Sequence, residues 1–223
     1  MDLQALFVTF RLAAVTTVVL LFLAIPLAYW IVSTRSRLRA PVEALTTLPI
    51  LLPPTVLGYY LLVLLGSRTS IGRFWVHLTG HPLAFTFSGL VIGSVIYSFP
   101  FAVQPIVAGF SSVDHALIEQ ARILGASRRR VLTGVLLPLS ARSIAAAALL
   151  CFTHTVGEFG VVLMVGGDIP GATRTLSIAI YDQVQDFAYA AANRTASLLV
   201  LISVASLILL YAWRGAYVGA KHE

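Results

Sequence analysis

EQARILGASRRRVLTGVLLP, residues 119–138, separates two long apolar stretches with a polar segment of regular internal spacing. Leu117, Ala121 and Leu124 recur at i, i+4 and i+7, with Ile118 and Gly125 beside them, which predicts a short helix with one apolar face. Asp114 stands where a side chain caps the first turn, and Gly125 where a left-handed residue closes the last. Ser127 is placed to cap a second helix, which Pro138 closes before the next apolar run begins. Helix, sharp turn and second helix leave Ala121, Gly125 and Ala126 small enough to admit another surface at close range.

The surroundings of this segment are those of a membrane protein. The chain has 223 residues, 58% of them hydrophobic and only 11% charged, against about 25% charged in a soluble domain. Mean hydropathy is +0.91. Too few polar side chains remain to face water all round, so an all-α polytopic membrane protein is expected. Cys151, the single cysteine, lies in an apolar run and reads as a packing residue. It permits neither an internal disulfide nor a cysteine-based metal site, and no metal site is expected.

A span needs about 20 predominantly apolar residues. Five stretches meet that need, at about 12–33, 46–65, 84–108, 139–165 and 196–213, within a single transmembrane domain covering 1–223. The chain starts with Met-Asp-Leu-Gln and not with a basic segment, and the first stretch has no small-residue cleavage site, so it reads as a retained span and not as a secretory leader. Pro53 and Pro54 in the second, and Pro100 and Pro105 in the third, predict bent or broken helices. Such prolines either face a bundle interior, where freed backbone groups are satisfied, or mark packing kinks. Gly89 and Gly93 fit a pattern of small residues that lets two helices approach closely.

Ten of the 15 lysines and arginines fall on one side of this arrangement: Arg35, Arg37, Arg39, Arg122, Arg128, Arg129, Arg130, Arg142, Arg214 and Lys221. Arg11, Arg68, Arg73, Arg174 and Arg194 fall on the other. The richer side should be cytoplasmic, which places the N-terminus outside, the C-terminus inside and residues 113–138 in the cytoplasm. Arg11 is then expected at the outer end of the first span, snorkelling to the interface. The net charge of +6 is explained by this loop distribution, so no nucleic-acid partner is expected. Arg128 to Arg130 serve either as topology determinants or as contacts to a cytoplasmic partner.

The segment quoted first resembles the EAA motif of binding-protein-dependent ABC importer permeases: E-A-A, three residues, G, nine residues, I-x-L-P. Here the motif stands as Glu119-Gln120-Ala121, Gly125 and Val135-Leu136-Leu137-Pro138; Gln120 and Val135 are mild departures. The resemblance implies the five-helix core of a type I importer, in which this segment docks on a separate ATPase. Leu117, Glu119, Gln120, Ala121, Leu124, Gly125, Ala126, Arg128, Arg129 and Pro138 are then the ATPase-coupling residues. The only lysine is Lys221, so there is no phosphate-binding P-loop of the G-x-x-x-x-G-K-[ST] kind. The chain is expected to be non-catalytic and to carry no cofactor, with ATP and magnesium on the partner.

TTLPILLPPTVLGYYLLVLLG (46–66) and VGEFGVVLMVGGDIPGATRTLSIAIYD (156–182) extend the likeness to molybdate transporter permeases. Sulfate/thiosulfate permeases share the L-P-x-x-x-P-P-x-V-x-G and G-E-F-G patterns, and tungstate also stays open as a substrate. The partners this implies are a second copy of the permease, two copies of a cytoplasmic ABC ATPase and a periplasmic or extracellular oxyanion-binding protein, assembled on the cytoplasmic membrane.

An oxyanion path wants donors and positive potential, which Arg68, Arg73 and Arg174 supply at the outer face. His77 and His81 there read as ordinary loop residues. Glu158 is an ionisable group in an apolar stretch and hence a functional candidate. With Pro54, Thr55, His154 and Thr155 it is expected to line a pore or gate; otherwise it caps the segment that follows. Two other classes fit less well. An intramembrane hydrolase would need a serine partner for His154, the only histidine in a span, and a secondary transporter would show inverted repeats and several embedded charges.

Overall fold

The computed structural model describes residues 2–215. Lys221, counted above on the cytoplasmic side, lies outside them. Among the described residues the chain is helical and has no strand.

Helix α1 (Leu3–Ser33) starts well before the expected residue 12, because Asp2 accepts a hydrogen bond from the Ala5 amide and caps it. Its buried stripe is narrow and made of small or branched residues: Ala5, Leu12, Thr16, Leu20, Ala24, Ala28 and Ile31. Those positions lie on one side of a 3.6-residue helix. Phe7 and Phe22, exposed at 66% and 79%, point away toward lipid. Arg11 is therefore not at a helix end. It sits inside α1, exposed, with its guanidinium 4.2 Å from the centroid of the Phe87 ring, a cation–π contact.

The expected second span, 46–65, is two helices. α2 (Arg39–Leu51) and α3 (Pro54–Leu65) meet at 110°. A residue before proline is pushed out of the helical region, and Leu52 and Pro53 are both extended, at ψ 140° and 134°. Pro54 then starts α3, where its missing N–H costs nothing. A short helix, α4 (Ser70–Thr79), follows in the loop before the next long helix. α5 (Phe87–Ser111) occupies the third span and passes through Pro100 and Pro105 without a break, which leaves a bend as the form the expectation can take there.

After α6 (His115–Ile123) come α7 (Arg128–Val131), a π-helical stretch over Leu132–Leu136 and α8 (Leu137–Leu139). Pro138 does not end this helix as expected; the path breaks at Ser140 and turns 74° into α9 (Ala141–Gly157). A proline ring collides with the carbonyl four residues back, and the widened π turn ahead of Pro138 makes room for it. The expected fourth span, 139–165, is also divided. α9 stops at Gly157, Glu158 and Phe159 leave the helix, and α10 (Gly160–Gly166) resumes it. α11 (Leu176–Gln185) and α12 (Tyr189–Gly215) complete the described chain.

α1, α5 and α9 form the central bundle, and α3 and α10 pack on each other beside α5. Leu20, Ile31, Ile106, Phe110, Ala147 and Cys151 belong to one buried core, so Cys151 does pack as expected. Among the described residues three helices are long and apolar enough to cross a membrane alone, or five when each bent pair counts as one span. Close approach is set by glycine at a few places. Gly93 faces Val161 of α10, and a Cβ on Gly109 would lie 2.4 Å from Cβ of Ser143 on α9.

Gly109→Ala is therefore expected to lower stability by about 1–3 kcal/mol, the usual cost of overpacking. Gly134→Ala, whose added carbon meets nothing within 4 Å, should leave it unchanged. Thermal unfolding of the detergent-solubilised protein checks both; equal melting temperatures would dismiss the close α5–α9 contact.

Candidate functional site

Three groups of polar residues lie apart from the packed core: the α6–α7 turn, a cavity at the α9–α10 break, and a charge cluster at the start of α1.

The turn is built by backbone geometry. Asp114 accepts from the Ala116 amide at 2.9 Å, capping α6. At the other end the Ala126 amide donates to the Ala121 carbonyl and the Gly125 amide to the Arg122 carbonyl, both at 2.9 Å. These are the two bonds of a Schellman motif, which requires a left-handed residue at Gly125; its φ is +81°. Ser127 then caps α7 by accepting from the Arg130 amide. The expected apolar face is divided between two duties. Ile118 is buried in the bundle core with Ala121 and Ala126 packed against it, whereas Leu117 and Leu124 stand 44% and 87% exposed. Ile123, at 84% exposed, joins them. Sequence periodicity missed Ile123 because it falls off the i, i+4, i+7 stripe. Glu119, Gln120, Arg128, Arg129 and Pro138 are exposed as well.

Pro54, Thr55, His154 and Glu158 do come together, lining a cavity of about 560 Å³ with Tyr97 and Thr153. Thr155 does not line it; the residue is buried, its hydroxyl within 3.3 Å of the Ser98 hydroxyl. His154 is fixed from three sides. Its Nδ1 lies 2.8 Å from the Ser98 hydroxyl, and its ring stacks on Phe101 at 4.2 Å and tilts against Tyr97 at 4.9 Å. This serine–histidine pair is not a nucleophilic site, because Ser98 is fully buried and does not line the cavity. Glu158 is 4% exposed, and neither side-chain oxygen has a hydrogen-bond partner among the described residues. It does not cap α10, whose first turn has no side-chain cap. Its backbone carbonyl, by contrast, accepts from the Ser177 hydroxyl, tying the break to α11. Gly160 adjoins it at close range, since a Cβ there would stand 2.7 Å from Cβ of Pro54.

The outer-face arginines separate. Arg68 and Arg73 are exposed, beside and on α4. Arg174, expected to present positive charge to an anion, is instead surrounded by carboxylates. It makes paired bonds to Asp168 and lies 3.4 Å from Asp182 and 3.9 Å from Asp2. Local charge there is net negative, so Arg174 serves to join the start of α1 to the loop before α11 and to α11 itself. The hydrogen bond from Arg174 holds the Asp168 carboxyl below the usual carboxylate range. Asp182 moves the other way, raised by partial burial and by the neighbouring Asp168.

The family described as "Binding-protein-dependent transport system inner membrane component" matches residues 20–221. The molybdenum transport system permease protein ModB of Azotobacter vinelandii is 46% identical over 96% of this chain and 94% of that protein. The protein of the same name from Escherichia coli K12 is 34% identical over 82% of this chain and 80% of its own length. Among solved structures, a bacterial ABC transporter importing the acidic polysaccharide alginate superposes with a TM-score of 0.73 at 19% identity, covering 96% of this chain and 78% of the other. At that identity the likeness speaks for the fold.

The charge cluster predicts a pH effect of definite sign. A carboxylate depressed in the folded state adds stability that is present above its unfolded pKa, about 4, and lost as pH falls through the lower folded value. Asp168→Asn should therefore melt at a lower temperature than the unsubstituted protein at neutral pH, and the gap should close on acidification. A gap that persists below that range would mean Asp168 acts by something other than its charge.

Proposed function

Because the chain belongs to the binding-protein-dependent transport system inner membrane components, we propose that it is the permease subunit of an ABC importer carrying molybdate across the cytoplasmic membrane. Its oxyanion reaches it from a soluble binding protein outside the membrane, and ATP is hydrolysed on a separate cytoplasmic ATPase. Two copies of the permease enclose the path, and two ATPase copies bind beneath them, with ATP and magnesium held there. The termini lie as the arginine distribution argues, N-terminus outside and C-terminus inside.

The observation that carries this reading is the trio of apolar side chains left uncovered on a polar turn. Leu117, Ile123 and Leu124 have no partner in this chain's core, and exposed apolar groups rimmed by polar ones mark a protein contact. Glu119, Gln120 and Arg129 form such a rim. Molybdate is supported by the two permeases named for molybdenum transport, one of them nearly half identical along almost its whole length. The cavity at the α9–α10 break is the gate in this reading. Thr55, His154 and Glu158 line it, and Thr155 backs it by holding Ser98. Arg68 and Arg73 give the outer mouth its positive potential.

Liposomes holding the permease and its ATPase test the assembly and the substrate together. ATP hydrolysis is expected to rise with molybdate-loaded binding protein. Leu124→Asp, a surface change that leaves the core intact, should abolish that rise and release the ATPase. A response to sulfate-loaded protein alone would replace the substrate and keep the assembly; no response to any loaded protein in an assembled complex would end the importer reading. Glu158→Gln separates the gate from a packing role, since a gate variant alters basal hydrolysis or uptake. Both unchanged would remove Glu158 from the gate.

A further inference from the structure

Where the end of α1 meets the α6–α7 turn, a cavity of about 810 Å³ opens, distinct from the gate cavity and from the uncovered apolar trio. Its lining includes Tyr29, Trp30, Arg35, Arg122, Ser127 and Arg128 and no carboxylate; Glu119 lines a smaller neighbouring cavity that shares Arg35 and Arg122. Arg35, Arg122 and Arg128 form no ion pair among the described residues; Arg39 nearby is already held by Glu43 at 2.9 Å. All three are exposed and keep their hydration, but a concave wall lined by one sign of charge focuses positive potential and draws an anion in. The two walls are also fixed relative to each other, because the Tyr29 hydroxyl donates to the Arg128 carbonyl at 3.3 Å.

The position of the cavity says what kind of anion. α1 is long and apolar enough to cross a bilayer, and Arg35 lies just past its end. Tyr29 and Trp30 near that end are residues of the headgroup depth. Phe22 and Leu23, seven residues before them and so on the same helix face, are 79% and 42% exposed. An apolar track therefore leads along α1 into a basic cavity, as an amphiphile with acyl chains and an anionic headgroup would require. Free phosphate would use the cavity and ignore the track. Basic pockets among spans on the cytoplasmic side are places where anionic headgroups bind, and Arg matches phosphate with paired donors.

We propose that this cavity is a headgroup site for an anionic phospholipid, whose phosphate is held by Arg35, Arg122 and Arg128 while its acyl chains follow Phe22 and Leu23. Its placement in the cytoplasmic leaflet rests on the orientation proposed above. The lipid would stand as a strut between α1 and the α6–α7 turn.

Native mass spectrometry of the permease–ATPase complex, titrated with phosphatidylglycerol, phosphatidylethanolamine or inorganic phosphate, tests it. Phosphatidylglycerol adducts should form in preference to phosphatidylethanolamine, and inorganic phosphate should not displace them. The double variant Arg35→Gln/Arg122→Gln should bind phosphatidylglycerol roughly 25-fold more weakly and keep its ATPase. Arg35→Lys/Arg122→Lys, which retains the charge and guards against a folding failure, should bind within a few-fold of the unsubstituted protein. Equal retention by the glutamine variant, or equal binding of the two lipids, would overturn the site. Displacement by inorganic phosphate would assign it to a soluble anion, and loss of the ATPase with the lipid would assign the arginines to the protein contact; either result overturns the lipid. The readout is lipid mass and not transport, so it fails or holds independently of the molybdate assignment.

Discussion

A helix broken within a membrane must have its freed backbone groups covered by protein or by a water-lined cavity, and this chain breaks twice in the same place. Leu52–Pro53 separates α2 from α3, and Glu158–Phe159 separates α9 from α10. The two resumed helices, α3 and α10, pack on each other, with Gly160 against Pro54 and Gly58 against Met164 at separations no Cβ would tolerate. Each break is thus sheltered by the other's resumed helix, and the cavity left between them collects Thr55, His154 and Glu158. Irregular backbone, a buried carboxyl and an open space coincide because the same exclusion of unsatisfied polar groups from lipid governs all three.

How much of this could be read from sequence differs from residue to residue. The Schellman turn was legible, since Asp114, Gly125 and Ser127 are residues whose chemistry fixes local geometry without help from the rest of the fold. Pro53-Pro54 was legible as an interruption for the same reason. Pro100 and Pro105 do not mark a break, because α5 carries both within one helix and Pro100 is buried in the bundle. The break at Glu158 was invisible to a proline rule. Its only local trace is a charged residue flanked by Gly157 and Gly160 in an apolar run, and what makes it a break is packing against α3. Arg174 shows the limit of charge counting. Its sequence position marks it as a positive group at the outer face, yet Asp2, distant in sequence, and Asp182 on the next helix bring carboxylates to it alongside Asp168.

α1 holds the ends of this arrangement together. At its start Asp2 caps the helix and reaches Arg174. About two turns on, the Thr9 hydroxyl accepts from the Leu176 amide at 2.8 Å, pinning the start of α11. At its far end Tyr29 holds Arg128. Between these points its small residues let α5 and α9 pack closely along its length. A helix with larger side chains on that stripe would hold α5 and α9 further off, and the contacts at both ends would part.

The polar turn and the broken-helix cavity are likewise joined by a single rigid element. Ile118 of α6 and Val131 of α7 lie in the same buried core as Ile31, Phe110 and Ala147, and close-packed interiors transmit displacement instead of absorbing it. A load applied at the exposed Leu117, Ile123 and Leu124 is therefore borne by the bundle. From the kink at Ser140, α9 runs 17 residues without interruption to the Glu158 break, a length of about 25 Å. It cannot shift at one end and stay still at the other. Placing the conformationally weakest points at the two ends of a stiff rod, Ser140 and Glu158, concentrates any rearrangement where the chain is already out of helical register, and leaves the rod itself to carry it.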